Sequence, residues 1–374
     1  MPVSEVAYGE AATALFRTRY VALFGGNTGD PKTVASQVSK LRKRFNLERI
    51  VLVGDRGMLT SARIREDLKT AEGVDWITAL RAPQIQTLVA AGALQLSLFD
   101  QRDLAEIIHP DYPGERLIAC RNPLLAADRA RKRQELLAAT EKDLAKIRSA
   151  TERTRKPLRG KDAIGVAVGK VAGHYKMAKH FQFVIEDANF HYERKQSQID
   201  AEAALDGIYV IRTSVLPEAA SSQQAVRYYK SLSEVERAFR SMKSVDLKVR
   251  PIHHHLADRV RAHILLCMLA YYVEWHMRQA LAPILFDDHD PVAAQAQRDS
   301  IVAPAQRSPK ALHKAHSKRT EDGLPVHSFQ TLLADLATIA KNTVVINENV
   351  MQLITTPTHL QSRAFELLQV SLRC

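Results

Sequence analysis

Short apolar runs alternate with amphipathic stretches over the first 95 residues. Tyr20 to Phe24 reads YVALF and stops at Gly25-Gly26, which predicts a strand. Gly29-Asp30-Pro31 then opens a helix, with Asp30 as its cap and Pro31 at its first position. Val34, Val38 and Leu41 fall on one face of that helix, which ends near Asn46. RIVLVG (49–54) is continuously apolar, as a buried strand should be. Thr60 or Ser61 caps a helix reaching about Glu72, Val74 to Leu80 is a third strand, and a short helix starts at Pro83. This β-α-β-α-β alternation predicts an α/β fold with a parallel or mixed sheet.

The middle of the chain changes character. Residues 95–118 read as short strands and turns, and 123–155 as one long, weakly apolar helix. FQFVIEDANFHYER (181–194) and GIYVIRT (207–213) are strands. From about Gln223 the chain is helical through Lys243. A turn through Arg250-Pro251 and three histidines leads to a long helix over 256–281. Residues 285–325 show little periodicity and read as a loop or linker. A helix over 329–341, the apolar run TVVI and a terminal segment follow. The segments expected are 1–19, atypical; 20–94; 95–206, containing the long basic helix; 207–281; and 282–374, helical and linker.

Charge sharpens the picture. The 374 residues carry 53 Lys+Arg against 41 Asp+Glu, a formal charge of +12. Residues 121–179 hold 16 basic and 6 acidic side chains, and 227–261 hold 9 and 4, whereas 282–374 are balanced at 9 and 9. Two concentrated basic blocks suit a nucleic-acid backbone, where each neutralised phosphate releases counterions. The alternative is a solvated helix surface of mixed sign. Cys120, Cys267 and Cys374 lie far apart and fit free thiols in a reducing compartment. There is no apolar run long enough to span a membrane and no basic-then-apolar leader, so a cytoplasmic location is expected. The chain contains no G-x-x-x-x-G-K-[ST], G-x-G-x-x-G, G-x-S-x-G or H-E-x-x-H, which weighs against nucleotide-driven motors, dehydrogenases, serine hydrolases and zinc proteases.

Three clusters carry candidate chemistry. Asp55 sits where the strand 49–54 stops, with Gly54 and Gly57 permitting a tight turn around it. Its bland alternative is a turn or capping aspartate. In RYYKSLSEVERAFRSMKS (227–244), Tyr229, Glu236 and Lys243 are seven apart and share one face of a continuous helix, beside an apolar stripe of Leu232, Val235 and Phe239. A carboxylate, a cation and a tyrosine on one face suit metal and phosphate binding, and a surface Glu–Lys pair is the alternative. His253, His254 and His255 are consecutive and cannot all face one ion, so turn packing or phosphate contact is expected there.

Together these stretches resemble the insertion-sequence transposases of the DDE class, in the group with a Y-x2-R-x3-E-x6-K signature. GGNTGDPKTVASQV (25–38) resembles the segment ahead of the second acidic strand, and VLVGDRGMLTSARIRED (51–67) the strand and turn holding the second catalytic aspartate, here Asp55. Residues 228–278 resemble the signature helix and its sequel: Tyr229, Glu236 and Lys243 match, while Leu232 stands at the signature arginine.

The resemblance implies an RNase H-like mixed sheet flanked by helices, with a β-rich and helical insertion between Asp55 and Glu236. It implies that Asp55 and Glu236 hold two divalent ions, Mg2+ or Mn2+, for phosphodiester cleavage and strand transfer. Tyr229, Arg237, Arg240 and Lys243 would contact double-stranded DNA, with a homo-oligomer, a dimer, acting at the element's ends near the nucleoid. No nucleotide cofactor and no membrane partner are expected. The family's first aspartate lies on an earlier strand, whereas this chain has Glu5 and Glu10 as its only acids before Asp30. The expectation is therefore a chain short of its first strand or strands and first carboxylate, and inactive as written. The competing readings are a non-catalytic DNA-binding remnant that inhibits intact copies, and a metal-dependent nuclease of the same fold.

Overall fold

A computed structural model describes residues 3–4, 22–23, 29–100, 103–247, 249–298, 300–346 and 349–371. The chain divides into two compact units, one of residues 55–229 and one of residues 1–54 with 230–374.

The 55–229 unit is built on an antiparallel sheet. Its strands run in the order Val74–Ala79, Ile208–Thr213, Arg116–Arg121 and Leu104–Ile107. The register sets Ile77 opposite Thr213, Ile118 opposite Ile211, and Ala105 opposite Ala119. Ile77, Leu117, Ile118, Val210 and Ile211 are wholly buried. The continuous apolar runs are thus covered on both faces, one cover being the helix Ala82–Ala90 through Ile85 and Leu88. An α/β arrangement with a sheet flanked by helices matches the RNase H-like expectation.

The insertion between the acidic residues is a satellite with its own core. The basic helix Pro123–Glu152 is capped by Asn122, whose side chain accepts the Leu125 N–H at 3.1 Å. It packs through Leu137, Leu144 and Ile147 against helix Lys161–Tyr175 and the hairpin of Phe181–Ile185 and Phe190–Arg194. Arg133, buried on this helix, bonds to Asp206 in a bidentate pair that fixes the chain's return to the sheet. Gly207, at φ +73°, makes that return possible. A Cβ there would lie 2.3 Å from the Asn122 carbonyl oxygen.

In the other unit, the helix opened by Asp30 is a 3-10 turn, Asp30–Thr33, continuing as Val34–Phe45 with Asn46 in the left-handed conformation at its end. Gly29, not Asp30, holds the capping position, and no side chain caps the turn. Val34, Val38 and Leu41 are buried as their spacing predicts. Val3–Ser4 pairs with Ala22–Leu23. Glu5, Glu10 and most of the strand expected over 20–24 lie outside the described residues.

Beyond Ala257–Leu281 the described residues include further helices and a buried core, which corrects the linker reading of 285–325. Short helices at Pro291–Ala296 and Pro309–Ser317 are capped by Asp290 and Ser308. Leu285 and Leu324 join Phe329, Leu332, Leu360 and Ala364 in one core. Lys314 is buried there, its ammonium donating to the Ala282 and Asp287 carbonyls at 2.7 and 2.9 Å. Burial, against the nearby Asp287 and Asp288 carboxylates, lowers its pKa. Helices this short give no period to detect.

Candidate active site and nucleic-acid-facing residues

Asp55 closes its own turn, as the turn-aspartate alternative expects. Its Oδ1 accepts the backbone N–H groups of Gly57 and Met58 at 2.9 and 2.7 Å. The side chain is exposed, and Oδ2 makes no hydrogen bond or ion pair among the described residues. One oxygen therefore fixes the carboxylate and the other is presented outward. A Cβ on Gly57 would lie 3.3 Å from Oδ1 and 3.6 Å from Oδ2. Gly57→Ala is accordingly expected to displace the carboxylate. On the reading that Asp55 holds a divalent ion, affinity for that ion should fall about tenfold, about 1.4 kcal/mol, while the unfolding midpoint barely moves; calorimetric titration with Mn2+ and thermal unfolding check the two halves.

The turn leads into a helix capped as its sequence predicts and braced by buried groups the sequence did not flag. Thr60 caps the following helix, its hydroxyl accepting the Arg63 N–H at 3.3 Å. The next residue, Ser61, accepts from Arg212 Nη1 at 2.8 Å. Arg212 is buried and forks onto Glu115 at 2.6 and 2.8 Å, with the Tyr112 ring 4.9 Å below its guanidinium. Lys69 adds a second cation 3.1 Å from Glu115. Burial alone would raise the Glu115 pKa, but the Arg212 and Lys69 contacts outweigh it and hold the carboxyl below its ordinary range. Arg81 also reaches the Arg56 carbonyl at 3.3 Å.

A second buried arginine organises the approach to Tyr229. Arg116 grips Glu106 through two bonds of 2.6 and 2.9 Å and the Val215 and Ala220 carbonyls at 2.9 Å each. It also donates to the Ser222 hydroxyl at 3.2 Å, at the start of helix Ser222–Lys230. The Arg116 bond lowers the Glu106 pKa against the effect of burial. Tyr229 is half-buried on that helix.

The single helix expected over 223–243 is interrupted. Ser222–Lys230 ends before Ser231, Leu232–Arg240 begins anew, and Ser241–Val245 is a wider π turn. The shared face inferred for Tyr229, Glu236 and Lys243 assumed one unbroken run at 3.6 residues per turn; the hydrogen-bonded run breaks at Ser231, whose dihedrals stay helical, and widens to a π turn after Arg240. Lys230, between the helices, donates to the Ile301 and Val302 carbonyls at 2.6 and 3.0 Å.

Leu232–Arg240 presents Glu236, Arg237 and Arg240 as exposed side chains, and Glu236 makes no hydrogen bond or ion pair among the described residues. Lys243 lies with its ammonium 5.0 Å above the Phe239 ring. Phe239 and Met242 bury their side chains against Val260 and Ile264 of the following helix. Glu234 is raised above the ordinary carboxylate range because its carboxyl is desolvated, with Arg237 opposing, although the residue as a whole is exposed.

Both Asp55 and Glu236 are hard oxygen donors of the type divalent cations take. Among the described residues no three His, Cys, Asp or Glu side chains are grouped to hold an ion. His253, His254 and His255 are exposed, the His254 ring lying edge-on to His263 at 5.5 Å.

The basic helix shows both readings of its charge. Arg131 pairs with Asp128 and Glu135, Lys146 with Asp143, and Arg148 with Glu152. Arg129, Lys132 and Lys142 are exposed with no ion pair among the described residues, so the excess positive charge faces solvent. Among the described residues no helix is long and apolar enough to cross a membrane.

Comparison with known families matches residues 14–273, more than half of the chain, to the family described as Transposase DDE domain. No curated protein and no solved structure matches the chain.

Proposed function

The chain belongs to the transposase DDE-domain family, and on that premise we propose that Asp55 and Glu236 are carboxylates of its metal-dependent site. The observation carrying this is the Asp55 turn, which spends one oxygen on backbone N–H groups and leaves the other outward. Transposases of this family move DNA by polynucleotidyl transfer and use divalent metal ions. The ion here is Mg2+, with Mn2+ as its substitute. Asp55 and Glu236 would hold it, and the chemistry it would supply there is activation of a hydroxyl and charge stabilisation at a phosphodiester.

The remaining roles belong to the chain itself. Asp55 is held by its own turn, and the Arg212–Glu115–Ser61 contacts brace the helix that follows it. Arg237, Arg240 and Lys243 face the DNA backbone, and Tyr229 adds a contact from the preceding helix. Leu232, at the signature arginine, supplies no phosphate contact. Two copies act together on the element's ends, in the cytoplasm beside the chromosome.

Against the expectation of a chain inactive as written, incubating the full chain with DNA carrying the element's terminal sequences and Mg2+ should release new 3′-hydroxyl ends at those termini. Binding without scission, in Mg2+ and in Mn2+, would refute the catalytic reading and favour the DNA-binding remnant. Lys243→Ala should weaken binding about equally for all sequences and reduce the slope of log affinity against log salt by about 0.9. Fluorescence anisotropy across a salt series measures it, and an unchanged slope removes Lys243 from the interface.

A further inference from the structure

Among the described residues, the strands Lys341–Ile346 and Asn349–Ile354 form an antiparallel hairpin that belongs to no larger sheet. Val345 lies opposite Val350, and Val344 opposite Met351. The alternation of a strand puts Val345 and Val350 on one face and Met351 and Leu353 on the other. All four are exposed, at 65%, 66%, 47% and 50%. An isolated two-stranded hairpin is marginal in water, and this one shows apolar side chains on both faces.

Its base is firm. The Thr355 N–H donates to the Ala340 carbonyl at 3.0 Å, and the Ala340 N–H to the Thr355 hydroxyl at 3.1 Å. Gln361 donates to the Asp335 carbonyl at 2.8 Å, and Leu360 and Ala364 are buried in the neighbouring core. The hairpin is an arm on a fixed support.

We propose that this arm is a dimerisation element, in which Asn349–Ile354 pairs edge to edge with the same strand of a second copy. Exposed edges are normally blunted by charge or proline, and the sequence NVMQLI has neither. Set antiparallel to itself about Gln352, it opposes Met351 with Leu353 and Val350 with Ile354, each pair on one face, so no charge meets its like across the two-fold axis. The surrounding region favours this occupant over DNA. Residues 282–374 carry 9 basic and 9 acidic side chains in a chain of net charge +12, and Lys341 is the hairpin's one cation. A duplex would find little to hold there, while two otherwise repelling chains meet where each is neutral. The inference rests on the reading that two copies act together, and its test needs no cleavage activity.

Sedimentation velocity of the full chain at about 10 µM, where a dissociation constant near 1 µM corresponds to about 8 kcal/mol, should show a dimer without DNA. Val350→Lys combined with Leu353→Lys should give a monomer with an unchanged circular dichroism spectrum and unfolding midpoint. Should the double variant misfold, Leu353→Glu alone should still weaken association at least tenfold. In hydrogen exchange, amides of 349–354 should be protected in the wild type and exposed in the variants. A monomeric wild type overturns the proposal. So does a dimer that survives these substitutions, which would move the interface to another surface such as the exposed Leu265, Leu269 and Val273 of helix Ala257–Leu281. A variant that loses DNA affinity with its oligomeric state unchanged also overturns it, in favour of a nucleic-acid contact.

Discussion

Asp55→Asn is expected to lower metal-dependent strand cleavage by about a thousandfold while leaving DNA affinity and folding unchanged. The substitution is chosen for the turn. An asparagine Oδ1 still accepts from the Gly57 and Met58 N–H groups, which Asp55 holds at 2.9 and 2.7 Å. Only Oδ2, the outward oxygen, is replaced, by an amide that cannot ligate a cation. Ion-mediated stabilisation of a phosphoryl transition state is worth several kcal/mol; about 4 kcal/mol corresponds to about a thousandfold in rate. Asp55→Ala would lose the turn as well, mixing ligand loss with backbone disorder. Glu236→Gln should match Asp55→Asn, since Glu236 is exposed and holds no structural partner. Single-turnover cleavage, with anisotropy and thermal unfolding on the same preparations, measures the three quantities. Equal rates in wild type and variant would remove these carboxylates from the chemistry.

The largest stability effect is expected at the buried pair of Arg212 and Glu115. Their side chains are 8% and 1% exposed. Removing one partner of such a pair costs about 3–5 kcal/mol, because the other charge stays buried. Glu115→Ala should fall toward the upper end: Arg212 keeps only the Ser61 hydroxyl and the Tyr112 ring. Arg212→Ala should fall toward the lower end, since Lys69 remains 3.1 Å from Glu115. Arg212→Met with Glu115→Leu, which removes both charges, should recover most of the loss.

Acid should act in the same direction. The folded pKa of Glu115 is depressed, so the pair stabilises fully above the unfolded carboxylate value and loses that contribution as the pH falls toward the folded one. Urea unfolding between pH 7 and pH 3 should show the gap between wild type and Glu115→Gln narrowing as the pH drops. A constant gap would contradict the assignment.

Much of this architecture was legible locally. The runs at 49–54, 74–80 and 207–213 read as strands because buried strands need no alternation, and Asp55 stood out because glycines flank it. The apolar spacing of Val34, Val38 and Leu41 gave the buried face of the first helix. Other features had no local signal. Lys161–Tyr175 carries Gly165, Gly169 and Gly173, which lower helix propensity and blur the apolar period. Arg116 meets partners about a hundred positions away, and Arg212 meets Ser61 at a separation of 151, distances no window can join. The heptad of Tyr229, Glu236 and Lys243 looked continuous because Ser231 is compatible with a helix; its dihedrals stay helical even where the hydrogen-bonded run breaks. Lys314 looked like a linker lysine, since nothing nearby in sequence announces the carbonyls that hold it.

The most direct test of the central claim locates the ion. Fe2+ takes the place of Mg2+ at oxygen-donor sites, and with ascorbate and peroxide it cuts the polypeptide next to where it binds. On the full chain bound to duplex DNA, the account predicts fragment ends near residue 55 and near residue 236. Both should disappear in Asp55→Asn and be suppressed by excess Mg2+. Cuts that persist in Asp55→Asn, or that cluster elsewhere in the chain, would contradict it.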